Sequence, residues 1–425
     1  MNILLIPGTT LIAKEIRESL VGFKHLKIYG AGFDLDHPDT QDFEEFFSLD
    51  AGFSDENLNK IQDLVNKYCI KYIFLAHDQY IYDFREFTKI GDAVLIPNNK
   101  KAIDIVSFKS KTYQFLNQFL ATPMVVSELN KEHKENLFFV KPDRGQGSKG
   151  AQKVNFEELQ ELLKNYEKQS QRLVITEFLP GREFTVDCFS SNQSEVKYSS
   201  SRLRVDAQNG ISTSTEFFDL PDAHEFASKI SSLLQIKGAW FFQLKEDRAG
   251  QLTLMEVGLR VAGASRINRL RGINLTQLHL FQEMGFEVSI PAYHTYPKLK
   301  RNKIELDFQY ESVFIDFDDT LTVKGKAAGS LIEFIDDCSK SDKSVSVISR
   351  HKGNLEDSIL SLFPNYQFHE IIHVTTSNCK SEYMPKNKPV LFIDDSHEER
   401  ERVKRALGDS VLALDPSVFN LLTLT

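Results

Sequence analysis

Asn136 to Gly150, NLFFVKPDRGQGSKG, constrains the fold more than any other stretch of the chain. The apolar run Leu137-Phe138-Phe139-Val140 reads as a buried strand with Lys141 at its end. A loop follows Pro142, in which Gly145, Gly147 and Gly150 surround Ser148 and Lys149. Glycines lack a Cβ, so their backbone N–H groups can close around an anion, and a phosphate suits such a loop. The spacing also fits the dinucleotide fingerprint, but that fingerprint has to open a helix. Ala151-Gln152-Lys153-Val154 reads instead as a second strand, which makes the loop a hairpin tip lying over phosphates. The Lys-Ser/Thr ending of a P-loop is absent. An ordinary tight turn explains a lone glycine motif equally well, so the choice falls to the rest of the chain.

A length of 425 residues implies several domains, and 41% hydrophobic with 26% charged residues describes a globular protein. A net charge of -9 argues against a nucleic-acid-binding surface. Cys69, Cys188, Cys338 and Cys379 are scattered without metal-site spacing, as expected of thiols in a reducing compartment. The opening MNILLIPG reads as a first strand and not as a leader, and no apolar run reaches the roughly twenty residues needed to span a bilayer. A cytoplasmic protein with neither nucleic-acid nor membrane partners is expected. Nothing in the sequence sets the oligomeric state, and a homodimer is compatible with it.

Strands at Ile3–Ile6, Leu26–Tyr29, Tyr72–Ala76 and Val94–Pro97 alternate with helices at Ala13–Leu20 and Asn57–Tyr68. That alternation predicts a small parallel sheet, with His77 and Asp78 just past a strand end where such sheets hold ligands. Lys100–Leu120 reads as one long helical stretch carrying Lys109 and Lys111, and Phe156–Tyr166 as an amphipathic helix. Leu173–Asp187 is two strands joined through Pro180-Gly181, with Glu177 closing the first and Glu183 opening the second. Trp240–Leu244 and Leu252–Val257 form a hairpin, on which Gln243 and Glu256 can face one Mg²⁺. Arg260 follows, suited to a transferred phosphoryl group.

From its start to about Pro291 the chain resembles the ATP-grasp superfamily, in which a Rossmann-like domain precedes a two-lobed ATP-binding domain. The resemblance places ATP-phosphate contacts on Lys109 and Lys141, and a cover over the phosphates on Gly145, Gly147 and Ser148. It places the adenine hinge on Glu177, Phe178 and Leu179, and the ribose contact on Glu183. Arg202 resembles an active-site arginine, with Arg204 competing for the role. The closing motif of the family, Glu-x-Asn-x-Arg, stands here as Glu256-Val257-Gly258-Leu259-Arg260. Gly258 thus replaces an expected metal-ligand asparagine, which puts the number of metals in question.

Beyond the basic stretch Lys298–Lys303, read as a linker, Val313-Phe314-Ile315 runs straight into Asp316-Phe317-Asp318-Asp319-Thr320. Carboxylates crowded at a strand end repel one another unless a cation neutralises them. Val345–Ser349 is a strand ending in a hydroxyl, and Val390–Ile393 one ending in Asp394-Asp395. Acids delivered from several strand ends form a hard-cation site. This segment is similar to the haloacid dehalogenase (HAD) superfamily. The similarity implies Asp316 as nucleophile, Asp318 as general acid and base, and Ser349 and Lys380 as phosphoryl holders. It implies Mg²⁺ at Asp316, the backbone of Asp318, and Asp394 or Asp395. Lys386 and Lys388 compete with Lys380, and little room remains for a cap.

The expected architecture is therefore α/β and α+β multidomain. It comprises a Rossmann-like domain (1–100), a two-lobed ATP-grasp domain (101–297), a linker (298–309) and a capless HAD-like parallel-sheet domain (310–425). The expected function is bifunctional: an ATP-dependent ligase joining a carboxylate to an amine or related nucleophile, with ADP release, fused to a phosphatase acting on a phosphorylated substrate. ATP and Mg²⁺ are the implied cofactors, with Mn²⁺ as the alternative cation. Competing readings are a phosphatase with a nucleotide-sensing front half, and a small-molecule kinase.

Overall fold

The computed structural model describes residues 1–422 except 22, 24, 127, 129–133, 146–149, 167–171, 209–210, 291–297, 301–302, 324 and 342. Gly147 and Ser148 of the glycine loop therefore lie outside the described residues. The chain divides into two compact units. One comprises Met1–Lys14, Leu26–Ala264 and Gln282–Gly285; the other comprises Glu15–His25, Ser265–Phe281 and Phe286–Thr425. Among the described residues, no helix is long and apolar enough to cross a membrane.

The first unit opens with a sheet in the order Phe46–Ser48, Lys27–Gly32, Asn2–Ile6, Ile70–Leu75, Ala93–Ile96, all parallel. Lys89–Ile90 adds an antiparallel edge strand. Ile3 to Ile6 are completely buried, the continuous apolar run that a sheet covered on both faces requires. Asp55–Tyr68 packs Ile61 and Val65 inward and is capped by the Ser54 side chain.

The expected single helix over Lys100–Leu120 is two helices, Lys100–Val106 and Lys109–Leu116. Phe108 between them is extended and supplies no side-chain cap. The cap comes instead from the strand carrying Lys141. The Ser110 amide donates to Asp143 Oδ1 at 2.8 Å, its hydroxyl to Oδ2 at 2.7 Å, and the Lys109 amide to the Asp143 carbonyl at 2.9 Å. A long-range cap of this kind leaves no periodic signature in sequence.

The glycine hairpin is confirmed as strands Phe138–Pro142 and Gln152–Val154, paired antiparallel, with Leu173–Glu177 on the other side. The helix Phe156–Tyr166 joins their small core of Phe138, Val140, Val154, Phe156 and Leu159. A larger antiparallel sheet runs Leu252–Gly258, Gly238–Glu246, Glu183–Ser190, Val196–Gln208, Ile211–Phe217. The strands flanking Pro180-Gly181 thus belong to different sheets, and the chain crosses between them there. A Cβ on Gly181 would lie 2.8 Å from the Glu246 carbonyl oxygen, so glycine makes that close crossing. Asp206–Gln208 and Ile211–Glu216 are strand, with Arg204 paired to Thr215.

The second unit holds a parallel sheet ordered Ile371–His373, Ser344–Ser349, Ser312–Ile315, Val390–Ile393, Val411–Leu414. Its core includes Phe314, Ile348, Val390, Phe392 and Val403. Two short segments from earlier in the chain complete this unit. Arg269, 1% exposed, pairs with Glu15 at 3.2 Å and donates to the Ser417 carbonyl at 3.0 Å. The Asn274 side-chain amide reaches the Ser19 carbonyl at 2.6 Å and Asp415 Oδ2 at 3.2 Å. Where a linker was expected, Lys298–Lys300 and Lys303–Glu305 pair as antiparallel strands.

Candidate active sites

In the first unit, a cleft is lined by His77, Asp78, Lys109, Gly145, Glu256 and Gly258 among others. Lys141 lies on the inner strand of the small sheet, 6% exposed, and its ammonium donates to the Tyr113 hydroxyl at 2.7 Å. Burial, and then the charge of Lys109, push this lysine down to about 7, against a weaker pull from Glu256 and Glu183. Lys109 Nζ donates to the Gly145 carbonyl at 3.0 Å, tying the lysine to the start of the glycine loop. Two neighbouring lysines, one of them buried, form a site that an anion would stabilise.

Sheet register fixes the other wall. Glu256 is paired directly with Gln243, and Gln243 with Thr185, so the expected metal donors stand side by side on one face. Burial raises Glu256 above the usual carboxylate range, although Lys109 pulls it down. One carboxylate and one amide oxygen suit a hard cation that takes its remaining ligands from phosphate oxygens and water. Gly258, two residues on, faces the same way, and its space is filled: a Cβ there would lie 2.2 Å from the Phe241 ring. The position expected to carry a metal ligand is covered by a phenyl ring, and no third donor comes from it. Arg260 stacks on that same ring at 5.1 Å and grips Asp78 through two bonds of 2.8 and 2.6 Å.

Arg202 does not serve this cleft. It is 2% exposed and bound to Asp187 Oδ2 at 2.8 Å, a buried pair between neighbouring strands. Arg204 pairs with Glu183 at 2.5 Å, so the expected ribose carboxylate has a cationic partner. Glu177 Oε1 accepts the Met124 amide at 3.0 Å, which draws this carboxylate toward the backbone rather than toward a base. Phe178 lies under Lys153 Nζ at 4.3 Å, and Leu179 is buried. Tyr113 and Asp143 were missed in the sequence because their partners are remote in the chain. The signal for Asp78, a strand end, was present.

In the second unit, Asp316, Ser349 and Asp394 follow or end three adjacent parallel strands. Ligand atoms of Asp316, Asp394 and Asp395 lie within 4.8 Å of one another. Lys380, 2% exposed, bridges Asp316 Oδ1 and Asp394 Oδ2 at 2.6 Å each. Burial first, then repulsion from Asp394, raise the Asp316 carboxyl to about 7 despite Lys380. Three carboxylates against one ammonium leave a net negative pocket, which fits a divalent cation. Ser349 is 1% exposed at its strand end. The turn Phe317–Leu321 holds Asp319 at φ +54° and carries Asp318 outward, where His351 Nδ1 meets its carboxylate at 3.0 Å. Lys388 is exposed and pairs with Glu311, and Lys386 is exposed, so neither joins the cluster. From Thr322 to Ser349 the described chain contains a two-residue-stranded hairpin, the helix Gly329–Lys340 and the next strand, with no inserted domain.

A small antiparallel sheet beside a larger antiparallel sheet, following a parallel α/β sheet, is the ATP-grasp fold, and the comparisons with known proteins agree. Residues 169–302 match the family described as ATP-grasp in the biosynthetic pathway with Ter operon. The biotin carboxylase domain of Hydrogenobacter thermophilus 2-oxoglutarate carboxylase, solved with MgADP and bicarbonate, superposes with TM-score 0.58 at 13% identity, over 70% of this chain and 73% of its own. N5-carboxyaminoimidazole synthetase from Staphylococcus aureus, solved with ADP, gives 0.56 at 15% identity over 70% and 80%. The L-amino acid ligase from Bacillus licheniformis gives 0.55 at 17% over 70% and 78%. No curated protein matches the chain in sequence.

Proposed function

We propose that the protein is a bifunctional cytoplasmic enzyme, an ATP-dependent carboxylate ligase joined to a Mg²⁺-dependent phosphatase of HAD type. The domain scheme of 1–100, 101–297 and 310–425 belongs to this reading. Supporting the ligase are the neighbouring cations Lys109 and Lys141 and the opposed donors Gln243 and Glu256. The observation that carries it is Lys141, a buried lysine beside a second cation, Lys109, which lines the cleft.

Lys109 and Lys141 hold the phosphates of ATP, with Gly145, Gly147 and Ser148 covering them. Glu177, Phe178, Leu179 and Glu183 border the nucleoside. Gln243 and Glu256 would hold Mg²⁺, which would supply charge neutralisation on the phosphate oxygens. A substrate carboxylate oxygen attacks the γ-phosphorus and ADP leaves. An amine or related nucleophile then attacks the acyl carbon and phosphate leaves. Arg260 steadies the charge that develops on the transferred group. Exclusion of water protects the acyl phosphate from hydrolysis.

In the second unit, an Asp316 oxygen attacks the substrate phosphorus, and Asp318 protonates the departing oxygen. Asp318 then takes a proton from the water that hydrolyses the aspartyl phosphate. Ser349 and Lys380 hold the phosphoryl oxygens, while Asp316, the Asp318 backbone, and Asp394 or Asp395 would hold Mg²⁺. The open approach admits a large phosphorylated substrate. The filled space at Gly258 favours one alternative, a nucleotide sensor in front of an active phosphatase.

The test is release of ADP, AMP and phosphate from Mg-ATP across a panel of carboxylic acids, with wild type, Lys141→Ala and Asp316→Asn. Acid-dependent ADP release, lost in Lys141→Ala and kept in Asp316→Asn, supports the ligase. AMP release overturns the acyl-phosphate route. Phosphatase activity surviving in Asp316→Asn overturns the second half.

A further inference from the structure

Asp318 rides on the turn Phe317–Leu321 with its side chain 45% exposed, where a carboxyl group left to itself turns freely in water. Among the described residues its two oxygens bond to one partner, His351 Nδ1, at 3.1 and 3.0 Å. His351 is itself held at three further points. Its Nε2 meets the Ser358 hydroxyl at 2.9 Å, and its carbonyl accepts from His373 Nε2 at 2.9 Å. The Phe317 ring stands edge-on to the imidazole, with 5.0 Å between centroids and 79° between planes.

These anchors are firm in turn. Ser358 lies on the helix Leu355–Leu362, which Asn354 caps and which buries Leu355 and Ile359. Phe317 is buried, and His373 is in register with Ser349 on the neighbouring strand. When the Ser358 hydroxyl donates to Nε2, the ring proton stands on Nδ1 and is donated to Asp318. A pair made with a half-exposed carboxylate adds little stability, so stability alone gives no reason to fix the imidazole so fully. A general acid, by contrast, works only when it is aimed at the oxygen it protonates.

We propose that His351 is a positioning residue for phosphoryl transfer: it sets the direction of the Asp318 carboxyl group, and Ser358 sets the direction of the imidazole. The proposal rests on the phosphatase reading. An Asp316 oxygen forms a bond to phosphorus as the bond from phosphorus to the departing oxygen breaks. One Asp318 oxygen gives its proton to that departing oxygen, while the other keeps the bond from Nδ1–H. Asp318 is left as a carboxylate in the same orientation, and it then takes a proton from the water that cleaves the aspartyl phosphate. His351 touches neither substrate nor phosphorus in these steps.

The test compares two substrates that need the acid to different degrees. Ethyl phosphate has a poor leaving group and depends on protonation, whereas p-nitrophenyl phosphate has a good one and depends on it little. Steady-state kcat/KM, which reads phosphoryl transfer to Asp316, is measured with Mg²⁺ on the full chain for wild type, His351→Ala, His351→Asn, Ser358→Ala and Asp316→Asn. His351→Ala should lower kcat/KM for ethyl phosphate by about tenfold more than for p-nitrophenyl phosphate. His351→Asn, whose side-chain amide can take the place of Nδ1–H, should restore most of that difference, and Ser358→Ala should show a smaller one of the same sign. Equal losses on the two substrates in His351→Ala would mark a merely structural residue and overturn the proposal. Should His351→Ala fail to fold, Ser358→Ala decides, and an unchanged substrate ratio there overturns it as well. Hydrolysis by the wild type that survives in Asp316→Asn, or none of either substrate, overturns the phosphatase reading itself and takes the proposal with it.

Discussion

Lys141 is a lysine whose charge depends on what fills the cleft. Its value near 7 in the folded chain, against 10.5 for an unburied lysine, means that fewer protons are bound folded than unfolded between those limits. Stability from this group is therefore lowest below about pH 7 and rises as the pH climbs toward 10.5. Phosphates bound beside Lys141 would restore its proton, so ATP binding above pH 7 should take up a proton and weaken with rising pH, by up to about tenfold per unit. Calorimetry in buffers of differing ionisation enthalpy should show that uptake in wild type and none in Lys141→Ala. In the second unit, Mg²⁺ should raise the melting temperature by neutralising the Asp316, Asp394 and Asp395 cluster, and a thermal scan of Asp394→Asn should lose most of the increment. The sequence made these acids legible because a strand running straight into carboxylates has few structural explanations. It left the partner of Arg202 open, because the pattern of a strand says which face a residue occupies and not which buried partner, here Asp187, will claim it.

The helix Lys109–Leu116 and the strand Leu252–Gly258 each show how an element is set by contacts far along the chain. Asp143 caps the helix and is 1% exposed, so Asp143→Ala should cost about 0.5–2 kcal/mol in denaturant unfolding and raise the KM for ATP by shifting Lys109. On the strand, Gly258→Asn would force the new side chain into the Phe241 ring and destabilise the chain by about 1–3 kcal/mol, with Phe241→Ala in the same chain relieving it. If the double variant also gained Mn²⁺ by titration in the presence of ATP, the ring would be what keeps the second ligand out. Hairpins and buried strands were readable from local alternation and turn glycines. The break at Phe108 and the crossing at Gly181 were not, since neither is dictated within its own window of sequence.

The two units are not two consecutive lengths of chain. The polypeptide passes from one to the other after Lys14, His25, Ala264, Phe281 and Gly285, whereas the sequence suggests consecutive domains parted near residue 100 and at a basic linker. A fragment of residues 310–425 alone would lack Glu15–His25 and Ser265–Phe281, and with them buried Ile267, Leu270 and Leu278. It should therefore express insolubly or melt well below the full chain, a comparison that limited proteolysis of the intact protein would complement. The same threading bears on how the molecule is made. On the ribosome, Ser19 emerges near the beginning of synthesis and Asp415 near its end, yet Asn274 bonds to both. Glu15 and Ser19 must wait for Arg269 and Asn274, and these in turn for Ser417 and Asp415 at the far end of translation. Folding of the second unit is thus tied to completion of the chain, and a ribosome that stalls late leaves Glu15 and Ser19 in an unfinished core.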